Sequence, residues 1–227
     1  MVAFALIIAI VLAYLLGNIN SATIISRLVF HKDIRESGSG SAGATNMFRT
    51  FGAGWGILTL LLDAAKGYIA YFAGNAIGYF VGGESCASWF AAAAGLFSVI
   101  GHTWPVLYQF KGGKGIATTF GVILACHPVV GLIAFGLAIL SVLITNYMSI
   151  GSLVAAAFAE LGCLILGPAS VRVLMTVLIL LILWQHRSNI QRLFNGAENP
   201  MMSRSLLDIL RGKNKKEETS RSKRDLK

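Results

Sequence analysis

Two stretches of this chain, 85–110 and 115–159, contain no Asp, Glu, Lys or Arg. Crossing the hydrocarbon of a bilayer takes roughly 20 apolar residues in a helix, and both stretches are longer than that. A soluble domain carries roughly 25% charged residues, whereas here 13% are charged and 56% are hydrophobic. The mean hydropathy is +0.70. Lipid offers no water to backbone N–H and C=O groups, so each spanning segment must bond to itself as a helix. The chain reads as an all-α, polytopic integral membrane protein.

Spans are expected near 2–26, 53–74, 86–104, 115–127, 128–147, 150–167 and 169–186. The apolar start, Val2 to Leu16, has no basic n-region and no small-x-small cleavage site, so it reads as the first membrane helix and not as a signal peptide. The fourth span is short. Gly115 to His127 is 13 residues, about 20 Å of helix against a core of roughly 30 Å. Pro128 removes a backbone donor and suits a helix start, so it marks a break. A single helix over 115–147 would reach roughly 50 Å, too long for ordinary tilt.

Seven spans put the two ends on opposite sides. Nine of the nineteen basic residues lie in the last 24 positions, alongside four acids. The positive-inside bias makes such a tail cytoplasmic, which leaves the N-terminus outside. The expected organisation is a seven-helix membrane domain over 1–200 and a basic, disordered cytoplasmic tail over 201–227. The tail has no aromatic residue for base stacking, which argues against nucleic acid as a partner. Loops 27–52, 105–114 and 146–152 then face the cytoplasm. They and the segment after 186 hold Arg27, Lys32, Arg35, Arg49, Lys111, Lys114, Arg187 and Arg192; only Lys66 and Arg172 fall elsewhere. Cys86, Cys126 and Cys163 are widely spaced in apolar surroundings and read as small core residues, not a disulfide framework or metal site. No internal repeat is visible, which weighs against an inverted-repeat transporter.

Three polar segments interrupt the apolar pattern. The first, 37–49, contains Gly38, Ser39, Gly40, Ser41, Gly43, Thr45, Asn46 and Arg49. Its glycines let backbone approach a ligand, and successive N–H groups can form an anion nest. Ser39, Ser41, Thr45 and Asn46 add short donors, and Arg49 can grip phosphate with a two-pronged fork. A plain Gly/Ser linker would be more repetitive. The segment does not run into Gly-Lys-Ser/Thr, so it is not a nucleotide P-loop.

The second segment, 101–115, runs from Gly101 and His102 to Lys111, Gly112, Gly113, Lys114 and Gly115. A helix beginning near Ile116 would turn its free N–H groups and positive end toward an anion in the loop. A topology signal would need the lysines but not three glycines around them. His102 is open to two readings, as a base or as a buried, hydrogen-bonded histidine. No Asp follows it in the His-x4-Asp pattern of soluble-face acyltransferases.

The third segment, 185–198, places His186, Asn189 and Arg192 at intervals of three on one helix face. An amphipathic helix end in the head groups would look similar. Asp63 and Lys66 lie within the second span, where charges are functional suspects, although mutual pairing would also explain them. Ser149 and Ser152 flank a short connection from which they could reach the same pocket. Glu160, deeper in a span, has no partner that spacing identifies.

Taken together, the three segments resemble the bacterial membrane acyl-phosphate:glycerol-3-phosphate acyltransferases, the PlsY-type family. The resemblance rests on 38–46 with Arg49, on Gly101–Pro105 with Phe110–Thr118, and on His186–Ile190 with Arg192, Leu193, Gly196 and Glu198. The run 62–67, Leu-Asp-Ala-Ala-Lys-Gly, also looks familial. The match covers roughly 1–200, in order. This sequence departs from the family pattern at Ser41, where Asn is usual, at Gln185, where a basic residue is common, and at Asn146, where Arg is common.

The resemblance implies a seven-helix fold in the bacterial inner membrane with its site facing the cytoplasm. It implies transfer of a fatty acyl group from acyl phosphate to the 1-hydroxyl of glycerol 3-phosphate, giving lysophosphatidate and phosphate. No coenzyme A, acyl carrier protein, cofactor or metal would be needed. Position by position, Ser39, Arg49, Lys111, Lys114, His186 and Asn189 would carry the chemistry. Gly38, Gly40, Ser41, Gly43, Thr45, Asn46, His102, Gly112, Gly113, Gly115, Ser149, Ser152, Arg192 and Glu198 would bind substrate. An acyl phosphate is already activated, so positioning and oxyanion stabilisation could supply most of the catalysis. The proton acceptor is either the leaving phosphate or His186. The rival class is a transporter for a phosphorylated small molecule, which would need polar residues continuing through the bilayer. Oligomeric state is not legible.

Overall fold

The structure is a computed structural model that describes residues 1–201; the expected basic tail lies outside the described residues. Every regular element among them is helical. In chain order these are α1 (Val2–Asn18), α2 (Ser21–Phe30), α3 (Ala44–Phe51), α4 (Ala53–Thr103), α5 (Ile116–Cys126), α6 (Pro128–Thr145), α7 (Met148–Leu166), α8 (Ala169–Gln185) and α9 (Arg187–Phe194). Single 3-10 turns sit at Ile34–Glu36 and Val106–Tyr108. By length and composition, Val2–Phe30, Ala53–Tyr108, Pro128–Thr145 and Met148–Leu166 can each cross a membrane. Ala169–Gln185 with Arg187–Phe194, bent by 54°, makes a fifth candidate.

α4 differs most from the expected spans. The segment 75–85 reads from sequence as an outer connection, yet helix continues through most of it. Only Gly82 (φ −153°, ψ 18°) and Gly83 (φ 68°, ψ −161°) leave helical geometry. They form the corner of a hairpin. A Cβ added at Gly74 would lie 2.5 Å from Ala94 Cβ, and one at Gly78 would lie 2.8 Å from Ala87 Cα. The arms 53–81 and 84–103 therefore pack directly against each other. The first expected span is also interrupted. α1 ends at Asn18, Ile19 is extended, and the Asn20 side chain caps α2 by accepting from Thr23 N–H at 2.8 Å.

Between helices in lipid there is no hydrophobic driving force, so close approach of backbones must supply the packing. Two crossings show this. A Cβ at Gly101 would fall 2.2 Å from Tyr14 O, which seats α1 on the second arm of α4. A Cβ at Gly121 would fall 1.8 Å from Ala64 O, which seats α5 on the first arm. The apolar core runs through Tyr71, Val99, Val122, Val130, Cys163, Leu174, Met175 and Leu178. Large apolar side chains such as Phe4, Leu61, Phe80, Leu132, Ile165 and Leu180 point outward and are exposed.

α5 is only 11 residues long and buries Thr118, Thr119, Gly121, Val122 and Ile123. It stops where expected, at His127 (φ −153°), and Pro128 opens α6.

Candidate active site

The segment 37–43 is shaped by one buried side chain. Asn46 Nδ2 donates to the carbonyls of Ile34 (3.1 Å), Ser37 (2.9 Å) and Ser41 (3.0 Å), and its Oδ1 accepts from Ser39 N–H (3.0 Å). Gly38 takes a positive φ of 58°, and a Cβ there would sit 2.2 Å from Asn46 Oδ1. Asn46 therefore fixes the loop from inside. Arg35 and Arg27 clamp Asp33 in front of this loop at 2.7 Å each. The Arg35 guanidinium holds the Asp33 carboxyl well below the usual carboxylate range.

The Lys-Gly-Gly-Lys segment is joined to this loop through its glycines. Gly113 N–H donates to His102 O at 3.2 Å, and Ala42 N–H donates to Gly112 O at 3.4 Å. A Cβ at Gly112 would lie 2.0 Å from His102 O, and one at Gly113 would lie 2.3 Å from His102 Nε2. These two glycines serve contact between loop and helix, and both lie outside the cavity lining. Gly115, with φ 84°, then turns the chain into α5.

The third segment wraps back on itself. The Glu198 Oε1 accepts from Ser149 Oγ (3.0 Å) and Asn189 Nδ2 (2.7 Å), while Oε2 accepts from Arg192 Nε (2.8 Å). Burial alone would raise the Glu198 carboxyl, but the bonds from Asn189, Arg192 and Ser149 outweigh it and hold the group below its usual range. The freed Asn189 Oδ1 accepts from Lys114 Nζ. His186 Nδ1 is bonded to Ile182 O at 2.9 Å. A carbonyl only accepts, so Nδ1 carries the proton and Nε2 keeps its lone pair.

These three segments close around a cavity of about 280 Å³. Its lining includes Ser39, Ser41, Gly43, Thr45, Asn46, Arg49, His102, Lys114, Gly115, Ser149, Ser152, His186, Asn189, Arg192 and Glu198. Gly38 and Gly40 stay behind it and shape the turn, at φ 58° and 72°. Lys111, expected to act in the site, is exposed and outside the lining. The segment leaves α4 through a 3-10 turn, and its left-handed Gln109 and Phe110 turn Lys111 toward the surface.

Leu60 from α4, Met148 from α7, and Ser188 and Asn199 also line the cavity and are not legible as site residues in the sequence, and Asp63 from α4 joins them. For Asp63 the signal was present, as a charge inside a span. Lys66 is placed differently from expectation. It sits at the cavity end of the fold, bonded to Ile19 O (2.8 Å), Asp63 Oδ1 (2.8 Å) and His102 Nδ1 (2.8 Å). An ammonium has no lone pair, so His102 Nδ1 accepts, the ring proton sits on Nε2, and no lone pair remains for base chemistry. Glu160 also gains a partner, the Thr176 hydroxyl at 2.9 Å.

The electrostatics favour an anion. Gly43, Ala44 and Thr45 start α3; Gly115, Ile116 and Ala117 start α5; Met148 and Ser149 start α7; Ser188 and Asn189 lie in the first turn of α9. None of the four helices has a side-chain cap bond at its N-terminus. Four positive helix ends thus meet one cavity, each with N–H groups not bonded within its helix. Arg49 Nη2 reaches Asn199 O at 2.9 Å, while its buried Nε has no hydrogen-bond partner among the described residues. Burial pushes the Lys114 ammonium down to about 8; Glu198 opposes that shift, and Arg192 and Arg49 add to it. Among the described residues, no group of three or more His, Cys, Asp or Glu is placed to hold a metal ion.

Residues 7–196 match the family model described as glycerol-3-phosphate acyltransferase. The chain belongs to this family. Similar relatives include the glycerol-3-phosphate acyltransferases of Halalkalibacterium halodurans and Clostridioides difficile. The first is 41% identical over 194 residues, 83% of this chain and 92% of that protein. The second is 37% identical over 195 residues, 86% of this chain and 95% of that protein. Two crystal structures of PlsY (YgiH), an integral membrane glycerol 3-phosphate acyltransferase, share the fold of this acyltransferase. The glycerol 3-phosphate form has a TM-score of 0.79 at 36% identity, and the lysophosphatidic acid form 0.77 at 35%. Each alignment covers 90% of this chain and 98% of the other. The all-helical membrane architecture expected from the sequence is therefore that of the family.

Proposed function

We propose that this acyltransferase moves a fatty acyl group from acyl phosphate to the 1-hydroxyl of glycerol 3-phosphate, producing lysophosphatidate and inorganic phosphate. One observation carries the reading of the site: Arg49 and Lys114 face a cavity ringed by four helix N-termini without side-chain caps, and among the described residues neither forms an ion pair with a carboxylate. Such a place suits a phosphate. Both substrates carry one.

In the reaction the C1 oxygen attacks the acyl carbonyl carbon. The new ester C–O bond forms as the bond to phosphate breaks, and the hydroxyl proton passes by way of His186 Nε2 to the departing phosphate. Arg49, Lys114 and the helix ends hold phosphate and offset the negative charge that develops on the carbonyl oxygen. The His186 Nε2 lone pair orients the attacking hydroxyl, with Nδ1 anchored on Ile182 O. Ser39, Asn189, Ser149 and Ser152 supply neutral donors. Arg192 is neutralised by Glu198, so its part is to tie the third segment to α7 through that carboxylate.

The membrane arrangement belongs to the same proposal. Seven spans are α1 with α2, the two arms of α4, then α5, α6, α7 and α8, with the N-terminus outside and the cavity facing the cytoplasm of the inner membrane. Support comes from the basic residues of the three segments, which cluster at the cavity end, and from the basic tail. The membrane domain takes 1–200 and the tail 201–227.

The test is direct. Purified protein in detergent receives acyl phosphate with and without glycerol 3-phosphate, and no acyl-CoA. Phosphate release and lysophosphatidate are followed together. Release that requires glycerol 3-phosphate and falls away in Arg49→Ala and Lys114→Ala is the expected outcome. Uptake of phosphate esters into vesicles without acyl transfer would replace this reading with the transporter.

A further inference from the structure

Glycerol 3-phosphate presents two kinds of group. Its phosphate accepts hydrogen bonds, and its two hydroxyls must donate them. The cavity is rich in donors for the first task, so acceptors are the scarcer resource. Two carboxylates line it, Asp63 and Glu198. Glu198 already accepts three side-chain donors, two on Oε1 and one on Oε2.

Asp63 is different. Its Oδ1 accepts from Ser21 Oγ at 2.9 Å and from Lys66 Nζ at 2.8 Å. Its Oδ2 is buried and has no hydrogen-bond partner among the described residues, and the residue as a whole is 0% exposed. The neighbours cannot turn to help. Lys66 already directs its three donors to Asp63 Oδ1, Ile19 O and His102 Nδ1. The Ser21 hydroxyl has its single proton on Oδ1. An unmet oxygen on a buried carboxylate is costly, and here it belongs to a residue on the cavity wall.

Resting on the acyl-transfer reading above, we propose that Asp63 is a substrate-binding residue whose Oδ2 accepts a hydrogen bond from the secondary hydroxyl of glycerol 3-phosphate. Lys66 and Ser21 both bond to Oδ1 and hold the carboxyl in place, which makes Oδ2 a fixed acceptor. The reacting primary hydroxyl is left to His186 Nε2. Two acceptors on the cavity wall then match two hydroxyls, and the bond to Asp63 sets which end of the glycerol backbone meets the acyl carbonyl. A site built to bond a hydroxyl discriminates strongly against an analogue that lacks it.

The probe is 3-hydroxypropyl phosphate, which keeps the phosphate and the primary hydroxyl and lacks the secondary one. Equilibrium binding and kcat/KM are measured for this compound and for glycerol 3-phosphate, in the wild type and in Asp63→Asn. The amide of the variant turns its oxygen to Lys66, which leaves an NH₂ donor facing the cavity. The wild type should bind the analogue about 10- to 100-fold more weakly than glycerol 3-phosphate, the range of one hydrogen bond to a charged group. Asp63→Asn should lose a similar factor on glycerol 3-phosphate and change by less than about threefold on the analogue. Equal losses on both compounds would mean a structural role and overturn the proposal. So would a wild type that does not distinguish the two, a result that needs no variant. If Asp63→Asn does not fold, Asp63→Asn with Lys66→Met removes both buried charges and is held to the same criterion. Discrimination in binding without acyl transfer would overturn the proposed reaction and keep the subsite. No binding of glycerol 3-phosphate to the wild type would overturn both.

Discussion

Raising the pH through about 8 should loosen the hold of Lys114 on phosphate. The ammonium sits in the cavity without an ion pair to a carboxylate among the described residues, and burial lowers its pKa to about 8. A lysine with a lowered pKa is charged below that value and neutral above it, so affinity for a phosphate dianion is present at neutral pH and lost as the pH rises. Substrate phosphate is already dianionic in this window, since its second ionisation lies near about 6. About 1 unit above the pKa, only about a tenth of the free enzyme keeps the proton. The value of kcat/KM, which reports the free enzyme, should then be about tenfold below its neutral plateau. Saturating glycerol 3-phosphate should flatten the profile of kcat, because the bound dianion favours the charged lysine. The assay is initial-rate phosphate release from about pH 6.5 to about pH 9.5, corrected for alkaline hydrolysis of the acyl phosphate. Lys114→Arg supplies the control. Its guanidinium stays charged throughout, so whatever activity it retains should lose the alkaline fall. A flat wild-type profile, or a fall of the same size in Lys114→Arg, would refute the reasoning.

Four further outcomes follow from the geometry. Arg49→Lys keeps the charge but removes the fork, so KM for glycerol 3-phosphate should rise about tenfold or more; an unchanged KM in steady-state assays would count against a two-pronged contact. Glu198→Ala removes a negative charge from an anion site, and simple charge counting would predict tighter binding; instead it should lower kcat/KM by more than about tenfold, because Arg192, Asn189 and Ser149 lose the group that holds them. Asn46→Ala strips partners from three carbonyls and one N–H, a loss of about 2–4 kcal/mol in all; a lower unfolding temperature in detergent is the readout. Gly121→Ala drives a methyl into Ala64 O and should cost at least about 2 kcal/mol, whereas Gly136→Ala, with nothing within 4 Å, should leave the melting curve in place.

Much of the site was legible because its chemistry is local. A Gly/Ser/Asn segment ending in Arg49, a Lys-Gly-Gly-Lys loop before a helix, and His186 with Asn189 each name a polar purpose in an apolar chain. What spacing does not give is direction. Lys111 and Lys114 are three residues apart in one loop, yet only Lys114 reaches the cavity, because left-handed Gln109 and Phe110 turn the chain between them and the helix before it. Gly112 and Gly113 look like ligand-binding glycines and prove to be contacts against His102, a relation that joins the loop to the end of α4 across a bend. Lys66 reads from sequence as a charge within the second span, away from the cytoplasmic loops. It lies at the cavity end because the helix carrying it runs alongside Ile19 and His102.

The sequence by itself determined the solvent of this protein and the character of its elements. Apolar stretches of this length without a charge point to lipid-embedded helices, and that inference needs no partner segment. It also determined that the polar residues are concentrated into three segments. Tertiary structure decided which of those residues share a cavity, that four helix N-termini meet there, and that one buried oxygen of Asp63 has no partner among the described residues. Such facts depend on distances between residues far apart in the chain. Those distances are fixed by glycine-mediated contacts between helices, whose partners no local pattern reveals.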